Sequence, residues 1–362
     1  MASSMEPRNG SASSDPIDDD PKANGSTAPA NKPASPPTPA RSLTPGEQPG
    51  AVGTDSSPPI FPAPREGSLV WRLFGLVRQM RPEQWVKNTF VLAPWVFSKQ
   101  MTHKSIILSA VGGFFVFCLL ASCIYTINDL VDIEADRIHP RKRNRPLASG
   151  RIPVWAGKVL ALALLTGALI GAAFGPWKFV ATVLGYLVLQ IAYTFRLKKI
   201  AYVDVGCIAA GFVLRVLAGS YAVRVSPSFY LIACTALLAL FLGFGKRRHE
   251  MGGANAAKQR AALEQYSPRV LTFALAATGA LTIAAYVAYT LDHATQAFFN
   301  SSWLWVTTIH PLFGVIRFVQ LVATRPKAES PTQEMLRDVP FVMNLVLYAV
   351  EVIFIVYQLR PT

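Results

Sequence analysis

The chain has 362 residues, of which 51% are hydrophobic and 15% are charged, and its formal net charge is +14. Soluble domains carry about 25% charged residues, so this composition excludes an ordinary soluble globular protein. The basic residues lie in short segments between long apolar runs. This placement argues against a nucleic-acid partner and favours an anionic membrane surface or an anionic substrate.

The first part of the chain divides into a polar tail and a short amphipathic stretch. Residues 1–66 are rich in Pro, Ser, Gly, Ala and Asp, and we expect a disordered cytoplasmic tail that precedes a transmembrane domain at 67–362. Residues 68–81 alternate apolar and basic residues at helical spacing. We expect an interfacial helix whose Arg72, Arg78 and Arg81 point to lipid headgroups.

The rest of the chain breaks into apolar runs of about 20 residues, the length that a helix needs to cross a bilayer. The pattern predicts an all-α integral membrane protein with nine transmembrane helices. Their expected bounds are 84–101, 105–128, 153–174, 177–195, 202–222, 228–246, 269–291, 302–323 and 340–359.

Charge between these runs predicts the orientation. Segment 129–152 holds six Lys or Arg residues and segment 324–339 holds three, whereas the connections on the other side hold only Lys104 and Arg224. Basic loops stay in the cytoplasm. We therefore expect a multi-pass protein of the inner (plasma) membrane with its N-terminus in the cytoplasm and its C-terminus outside.

The strongest chemical signal lies at the end of the second predicted span. Asp129, Asp132 and Asp136 have the spacing that puts side chains on one face of an α-helix, and Asn128 lies beside them. Carboxylates so placed repel one another unless a cation lies between them. Oxygen ligands at a helix end suit Mg²⁺, so we predict that the three acids bind this metal and act in catalysis and that Asn128 binds substrate.

A basic segment follows the acids at once and supplies phosphate-binding groups. Positively charged side chains hold the phosphate oxygens that a metal does not reach. The combination predicts a diphosphate site, although an inner loop also carries basic residues for topology alone. The basic residues are Arg137, Arg141, Lys142, Arg143 and Arg145, of which we predict that Arg141, Lys142 and Arg145 bind substrate.

The stretch NDLVDIEADRIHPRKRNRPLASG at 128–150 resembles the first Asp-rich motif of the UbiA-type membrane prenyltransferase superfamily. The resemblance covers roughly 72–360. It implies nine transmembrane helices around a central cavity that opens to the cytoplasmic side. It also implies that Tyr193 and Lys198, at the end of the fourth span, line the diphosphate site.

The second half departs from the usual pattern of that superfamily. Where most members carry a second DxxxD motif, this chain has the sequence FGKRRHEMGG. We predict that Lys246, Arg247 and Glu250 bind substrate. Lys246 and Glu250 also have the i, i+4 spacing of a helical ion pair. Three segments together resemble the phosphoribosyltransferase branch of mycobacteria and their actinobacterial relatives. They are this one, RPEQWVKN at 81–88 and YVDVGCIAAGFVLRVLAGS at 202–220.

That branch implies a particular reaction. Phosphoribosyl pyrophosphate is the donor, decaprenyl phosphate is the acceptor, Mg²⁺ is the cofactor, and the product is a precursor of cell-wall arabinan. Two other functions stay open. One is a quinone-type prenyltransferase with an aromatic acceptor, and the other is a transporter of lipids or anions. Whether the chain forms a homo-oligomer also stays open.

Several further polar residues lie at or within the predicted spans. Lys87 and Asn88 begin the first span and Asp204 begins the fifth, and we predict that these three bind substrate. Ionisable groups inside a span usually face a cavity or one another. Arg215 and Glu351 have similar expected depths, so an ion pair between them is as plausible as a catalytic role. No role is assigned to His310.

Overall fold

The computed structural model describes residues 67–100, 102–140, 142–251, 263, 265–324, 334–335 and 337–357. The predicted tail and Arg141 lie outside these residues. The described part of the chain is helical and contains no strand. Eight of its helices are long and apolar enough to cross a membrane. The prediction of an all-α, multi-pass membrane protein is confirmed.

Apart from the first span, the bounds of the spanning helices lie within five residues of the predicted ones, with Trp303–Thr308 and Ile309–Thr324 counted together as one span. Some of these helices end directly before a charged residue, as at Asp132, Arg196 and Asp292. The α-helices are α1 (Leu69–Gln79), α2 (Ala93–Val96), α3 (Lys104–Val131), α4 (Ile133–Ile138), α5 (Val154–Ala173), α6 (Trp177–Phe195), α7 (Val203–Ala222), α8 (Phe229–Met251), α9 (Pro268–Leu291), α10 (His293–Phe299), α11 (Ile309–Thr324) and α12 (Val339–Tyr357). Short 3₁₀ helices cover Pro82–Val91, Lys142–Asn144, Leu197–Lys199 and Trp303–Thr308.

The first predicted span, 84–101, is not one of the eight long helices. It folds as the 3₁₀ helix Pro82–Val91 followed by the four-residue α2. A 3₁₀ helix rises about 2.0 Å per residue, so this stretch covers about 20 Å before α2 begins. Its far end meets the last helix, where the Tyr357 hydroxyl donates to the Val96 carbonyl at 2.8 Å.

The 3₁₀ helix packs closely against α7 through a glycine. A Cβ atom on Gly219 would lie 2.0 Å from the Val91 carbonyl oxygen, which no real contact permits. Val91 is fully buried at this crossing. Small residues allow such close approach between backbones in membrane proteins. The contact fixes the irregular segment against the bundle and so fixes the residues that it carries.

Two apolar clusters hold most of the long helices together. The first joins α3, α5, α6 and α7 through Val116, Leu120, Ala168, Val183 and Ala218. The second joins α8, α9 and α11 through Phe241, Leu275, Phe318 and Leu321. Many large apolar side chains on the outer faces stay exposed, including Leu108, Leu162, Phe273, Ile316 and Phe354. Such an outward apolar surface suits a bilayer.

Candidate active site

A cavity of about 3220 Å³ lies between the helices. At one end its lining is charged, and the larger part of its wall is aromatic and aliphatic. The charged residues at this end include Arg81, Asp129, Asp132, Asp136, Lys142, Arg145, Lys198, Lys246 and Glu250, and the lining also includes Lys87 and Arg215. Phe90, Phe97, Phe212, Leu231, Leu238, Phe241, Tyr286, Phe298 and Leu345 are among the apolar ones. The cavity therefore offers an ionic head and an apolar body.

The acidic motif bends instead of continuing as one helix. Helix α3 ends at Val131, Asp132 takes φ −94° and ψ 9°, and α4 begins at Ile133. The expectation that three acids share one face of a continuous helix is wrong at this break. Asp129 and Asp136 are both 2% exposed and converge, whereas Asp132 has a different partner.

Asp129 is held by three side chains. Gln79 Nε2 donates to Oδ2 at 2.8 Å, Arg81 Nη2 reaches Oδ1 at 2.7 Å and Oδ2 at 2.8 Å, and Arg145 Nη1 reaches Oδ1 at 3.0 Å. Arg81 adopts a left-handed φ of 52° immediately before Pro82. This turn sends its side chain into the cavity, so the prediction that Arg81 points to lipid headgroups is wrong.

Arg145 joins the two buried acids. Its Nη1 also contacts Asp136 Oδ2, and Lys142 Nζ lies 3.9 Å from Asp136 Oδ1. Oxygens of two carboxylates thus converge on one nitrogen atom of Arg145. Among the described residues, no three His, Cys, Asp or Glu side chains come close enough to hold a metal ion alone.

This donor set nevertheless fits Mg²⁺. The ion commonly takes one or two carboxylates and completes its shell with water and substrate phosphates. Asp129 and Asp136 supply two such carboxylates at a point already shaped for a positive charge. Participation of Asp132 as a third ligand stays a prediction.

Asp132 belongs to a neighbouring group. Lys198 Nζ lies 3.6 Å from Asp132 Oδ2 and 3.5 Å from Asn128 Oδ1. Tyr193 lines the same part of the cavity. The structure therefore brings the end of α6 to the end of α3 and adds a further positive charge to the head of the cavity. That Tyr193 and Lys198 bind a diphosphate stays a prediction.

The second motif forms a buried ion-pair network. Arg247 Nε lies 2.8 Å from Asp204 Oδ2, and Arg247 Nη1 also pairs with Glu250. Arg247 is 1% exposed and Asp204 is fully buried, so both support the site from behind. Lys246 and Glu250 line the cavity and form the predicted i, i+4 pair, with Nζ 3.9 Å from Oε1.

Tyr266 completes this network from the loop before α9. Its hydroxyl donates to Asp204 and accepts from the Tyr202 backbone N–H at 2.9 Å. Burial, together with the bond to Asp204, raises the pKa of Tyr266 well above its ordinary value. The hydroxyl therefore stays a donor at physiological pH and helps to hold Asp204 in place.

A third polar group lies deeper in the cavity. Arg215 Nε donates to Asn88 Oδ1 at 2.9 Å, Nη1 donates to the Gly211 carbonyl at 3.0 Å, and Nη2 donates to the Tyr186 hydroxyl at 2.7 Å. Glu351 instead lies 2.7 Å from His310 Nε2. The suggested ion pair between Arg215 and Glu351 is therefore wrong.

His310 and Glu351 form a separate pair on α11 and α12. The Asn344 amide nitrogen donates to the His310 carbonyl at 3.1 Å, so the Asn344 oxygen is the atom that faces His310 Nδ1, at 2.8 Å. Nδ1 must then carry a proton. A second proton lies between Nε2 and Glu351, either as imidazolium and carboxylate or as neutral imidazole and carboxylic acid.

Sequence reasoning missed Gln79, Arg81 and Tyr186 as residues of the charged or polar lining. Arg81 is the first residue of RPEQWVKN, and this motif could have marked it as a site residue. Its turn into the cavity, however, depends on a left-handed backbone conformation. Nothing in the local sequence distinguishes Gln79 and Tyr186 from other residues of a helix. Their contacts, to Asp129 and to Arg215, join residues far apart in the chain.

Comparison with known proteins agrees with this architecture. Residues 89–345 match the model of the UbiA prenyltransferase family. The chain is 34% identical over 263 residues to decaprenyl-phosphate phosphoribosyltransferase of Corynebacterium glutamicum, covering 69% of this chain and 77% of that protein. It is also 34% identical over 256 residues to the protein of the same name from Mycolicibacterium smegmatis, covering 67% and 80%.

A solved structure shows the same fold. The UbiA homologue from Archaeoglobus fulgidus, bound to DMAPP and Mg²⁺, superposes with a TM-score of 0.59 at 21% identity, covering 79% of this chain and 100% of that one. This protein is a multi-pass membrane transferase that belongs to the UbiA prenyltransferase family.

Proposed function

We propose that the protein transfers the 5-phosphoribosyl group from phosphoribosyl pyrophosphate to decaprenyl phosphate and releases pyrophosphate. The observation that carries this proposal is the charged head of the cavity, where two convergent acids lie among several cations above an apolar body. Such a head suits a metal-bound diphosphate, and such a body suits a polyprenyl chain. The names of the Corynebacterium and Mycolicibacterium relatives support this reading.

The donor is assigned to the head of the cavity. Asp129 and Asp136 would hold Mg²⁺ with Asp132, and the bound ion would neutralise negative charge on the pyrophosphate. The Mg²⁺ bound to the Archaeoglobus homologue supports use of a divalent metal. Arg81, Lys142 and Arg145 lie close enough to bind the phosphate oxygens that remain, together with Lys198 and Asn128.

Lys246 and Glu250 are assigned to the opposite wall of the head, next to the donor's ribose or its 5-phosphate. Both line the cavity, and Arg247 fixes Glu250 from behind. Asp204 and Arg247 then act by positioning, because each is buried and paired with the other.

The chemical step is a substitution at C1 of the ribose. An oxygen of the lipid phosphate forms a bond to C1 while the bond from C1 to the pyrophosphate oxygen breaks, and the electron pair leaves with pyrophosphate. A phosphate monoester is already anionic at neutral pH, so the step transfers no proton. Positioning and electrostatic stabilisation then supply the acceleration.

The charged head is assigned to the cytoplasmic side of the plasma membrane. Basic loops gather at this end of the bundle, as cytoplasmic loops do. The N-terminus then lies inside and the C-terminus outside. The product, decaprenylphosphoryl 5-phosphoribose, would serve the synthesis of cell-wall arabinan.

The test is a turnover assay on purified protein with Mg²⁺ and two alternative substrate pairs. One pair is phosphoribosyl pyrophosphate with decaprenyl phosphate, and the other is a prenyl diphosphate with an aromatic acid. We expect pyrophosphate release with the first pair only. Product from the second pair only would overturn the proposed donor, and folded protein inactive with both would overturn the enzymatic assignment.

A further inference from the structure

We infer that Lys87 and Arg215 form a second phosphate-binding subsite, deeper in the cavity than the acidic head, which takes the phosphate monoester of the lipid acceptor. This inference rests on the proposed function and assigns a place to its second substrate. The two side chains come from the 3₁₀ helix and from α7, and both line the cavity.

The depth of the subsite follows from helix geometry. Lys87 lies six residues beyond Arg81, which at about 2.0 Å per residue amounts to roughly 12 Å along the 3₁₀ helix. Arg215 lies 11 residues beyond Asp204, or roughly 16 Å along α7. Arg81 lines the charged head described above, and Asp204 lies behind the wall of that head. Lys87 and Arg215 therefore lie between the charged head and the apolar body of the cavity.

The subsite holds positive charge without a local counter-ion. Within the described part of the chain, no carboxylate forms an ion pair with Lys87 or Arg215, and Lys87 makes no hydrogen bond there. Lys87 also feels the positive charges of Arg215 and Arg81. Burying cations together is costly unless an anion joins them. A bound phosphate would supply that anion.

Arg215 is oriented for such a ligand. Three of its N–H groups bind Asn88, Gly211 and Tyr186, and one N–H on each terminal nitrogen is left for an acceptor. Its guanidinium carbon also lies 4.8 Å from the centroid of the Tyr186 ring and 5.3 Å from the centroid of the Phe212 ring, within the range of cation–π contacts. These contacts hold the fork rigid before a ligand arrives.

The surroundings favour the phosphate of a lipid over the 5-phosphate of the sugar donor. Phe90 follows Lys87 by one turn of the 3₁₀ helix and packs on Phe212, with ring centroids 4.9 Å apart. Ala93, Pro94 and Phe97 continue the lining beyond it. A cation pair followed by an apolar wall matches a phosphate that carries a polyprenyl chain.

The two subsites together explain the direction of attack. The leaving pyrophosphate would lie among Asp129, Arg81 and Arg145, and the acceptor phosphate would lie on the membrane side of the ribose. C1 is then placed between leaving group and nucleophile, as a displacement at this carbon requires.

The first test is equilibrium binding of tritiated decaprenyl phosphate, with decaprenol as the uncharged probe and without the sugar donor. We expect Lys87→Gln to weaken decaprenyl phosphate binding by roughly tenfold to a hundredfold, because charge-assisted hydrogen bonds are lost, while decaprenol binding stays the same. Binding should persist in EDTA, since the subsite uses side-chain cations. The matched control is Lys178→Gln, whose ammonium lies over the Trp177 and Tyr221 rings.

The second test separates the substrates by steady-state kinetics. Lys87→Gln and Arg215→Lys should raise KM for decaprenyl phosphate and leave KM for phosphoribosyl pyrophosphate within about twofold, since that donor binds elsewhere. Arg215→Lys keeps the charge but loses the bonds to Asn88 and Tyr186. An increase confined to KM for the donor would assign the subsite to the sugar 5-phosphate and overturn the inference, while the proposed reaction would stand.

A wild-type protein that binds no decaprenyl phosphate and turns over neither substrate would overturn the proposed function itself. Unchanged binding by a folded Lys87→Gln protein would overturn only the subsite. Because Lys87 makes no hydrogen bond or ion pair with a described residue, this variant should fold even if Arg215 variants do not.

Discussion

Asp129 and Asp136 converge on a single atom, the Nη1 nitrogen of Arg145. The two acids lie on different helices, α3 and α4, and the break at Asp132 brings them together. Without that break, Asp129 and Asp136 would lie two turns apart on one helix, about 10.5 Å along its axis. The convergence is what makes the head of the cavity a cation-binding point with phosphate-binding side chains around it.

Asp129→Asn should reduce turnover by at least about a hundredfold, because the amide cannot supply the negative charge that a metal ion requires. The variant keeps an oxygen acceptor for Gln79, so the protein should stay folded. Turnover and thermal unfolding in detergent check the two parts separately. Near-normal turnover by purified Asp129→Asn would contradict the metal assignment.

Arg145→Lys should raise KM for phosphoribosyl pyrophosphate by roughly tenfold, because an ammonium lacks the planar fork with which a guanidinium contacts the carboxylates through one nitrogen and offers its other nitrogens to phosphate. KM for decaprenyl phosphate should change little. Arg137→Lys is the matched control, since Arg137 pairs with Glu134 three residues away at the surface. Equal effects from the two variants would remove Arg145 from the donor site.

Arg247 and Lys246 are adjacent but should behave differently. Arg247→Gln removes the cation that pairs with the buried Asp204 carboxylate, which keeps its hydrogen bond from Tyr266, and should lower the free energy of unfolding by about 3–5 kcal/mol. Lys246→Gln removes a partly exposed charge and should change stability by less than about 0.5 kcal/mol while raising KM for the donor. Denaturation in detergent and steady-state kinetics distinguish the positioning role from the binding role.

The His310–Glu351 pair allows a test of proton placement. A glutamine at position 351 can donate its amide to His310 Nε2, so Glu351→Gln should keep most of the stability. Glu351→Leu leaves that nitrogen without a partner and should cost about 1–3 kcal/mol. Thermal unfolding of the two variants under the same conditions is the measurement. Equal loss in both would show that the pair needs the carboxylate charge itself.

The positions of the long helices could be predicted because apolar runs end at residues that cannot enter the bilayer. Helix α6, predicted at 177–195, runs over Trp177–Phe195. The first span could not be predicted in this way. Its 3₁₀ geometry depends on the contact of Val91 with Gly219, which joins distant parts of the chain.

The sequence predicted which residues belong to the candidate site better than it predicted which of them contact one another. The acids, Lys198 and the Lys246–Glu250 pair could be found because their spacing is local. The bond between Arg215 and Asn88 joins residues 127 positions apart, and local periodicity carries no information about it. Arg81 was misplaced because an amphipathic pattern assumes continuous helical backbone, and the chain turns there through a left-handed φ.

The central claim is that the phosphate oxygen of the lipid attacks C1 of the donor ribose. The most direct measurement uses decaprenyl phosphate labelled with ¹⁸O in its phosphate, with unlabelled phosphoribosyl pyrophosphate and Mg²⁺, and analyses both products by mass spectrometry. We predict a lipid product that carries the phosphoribosyl group and all of the label, with an equal amount of unlabelled pyrophosphate. Label in the released pyrophosphate, or product only from a prenyl diphosphate, would contradict the account.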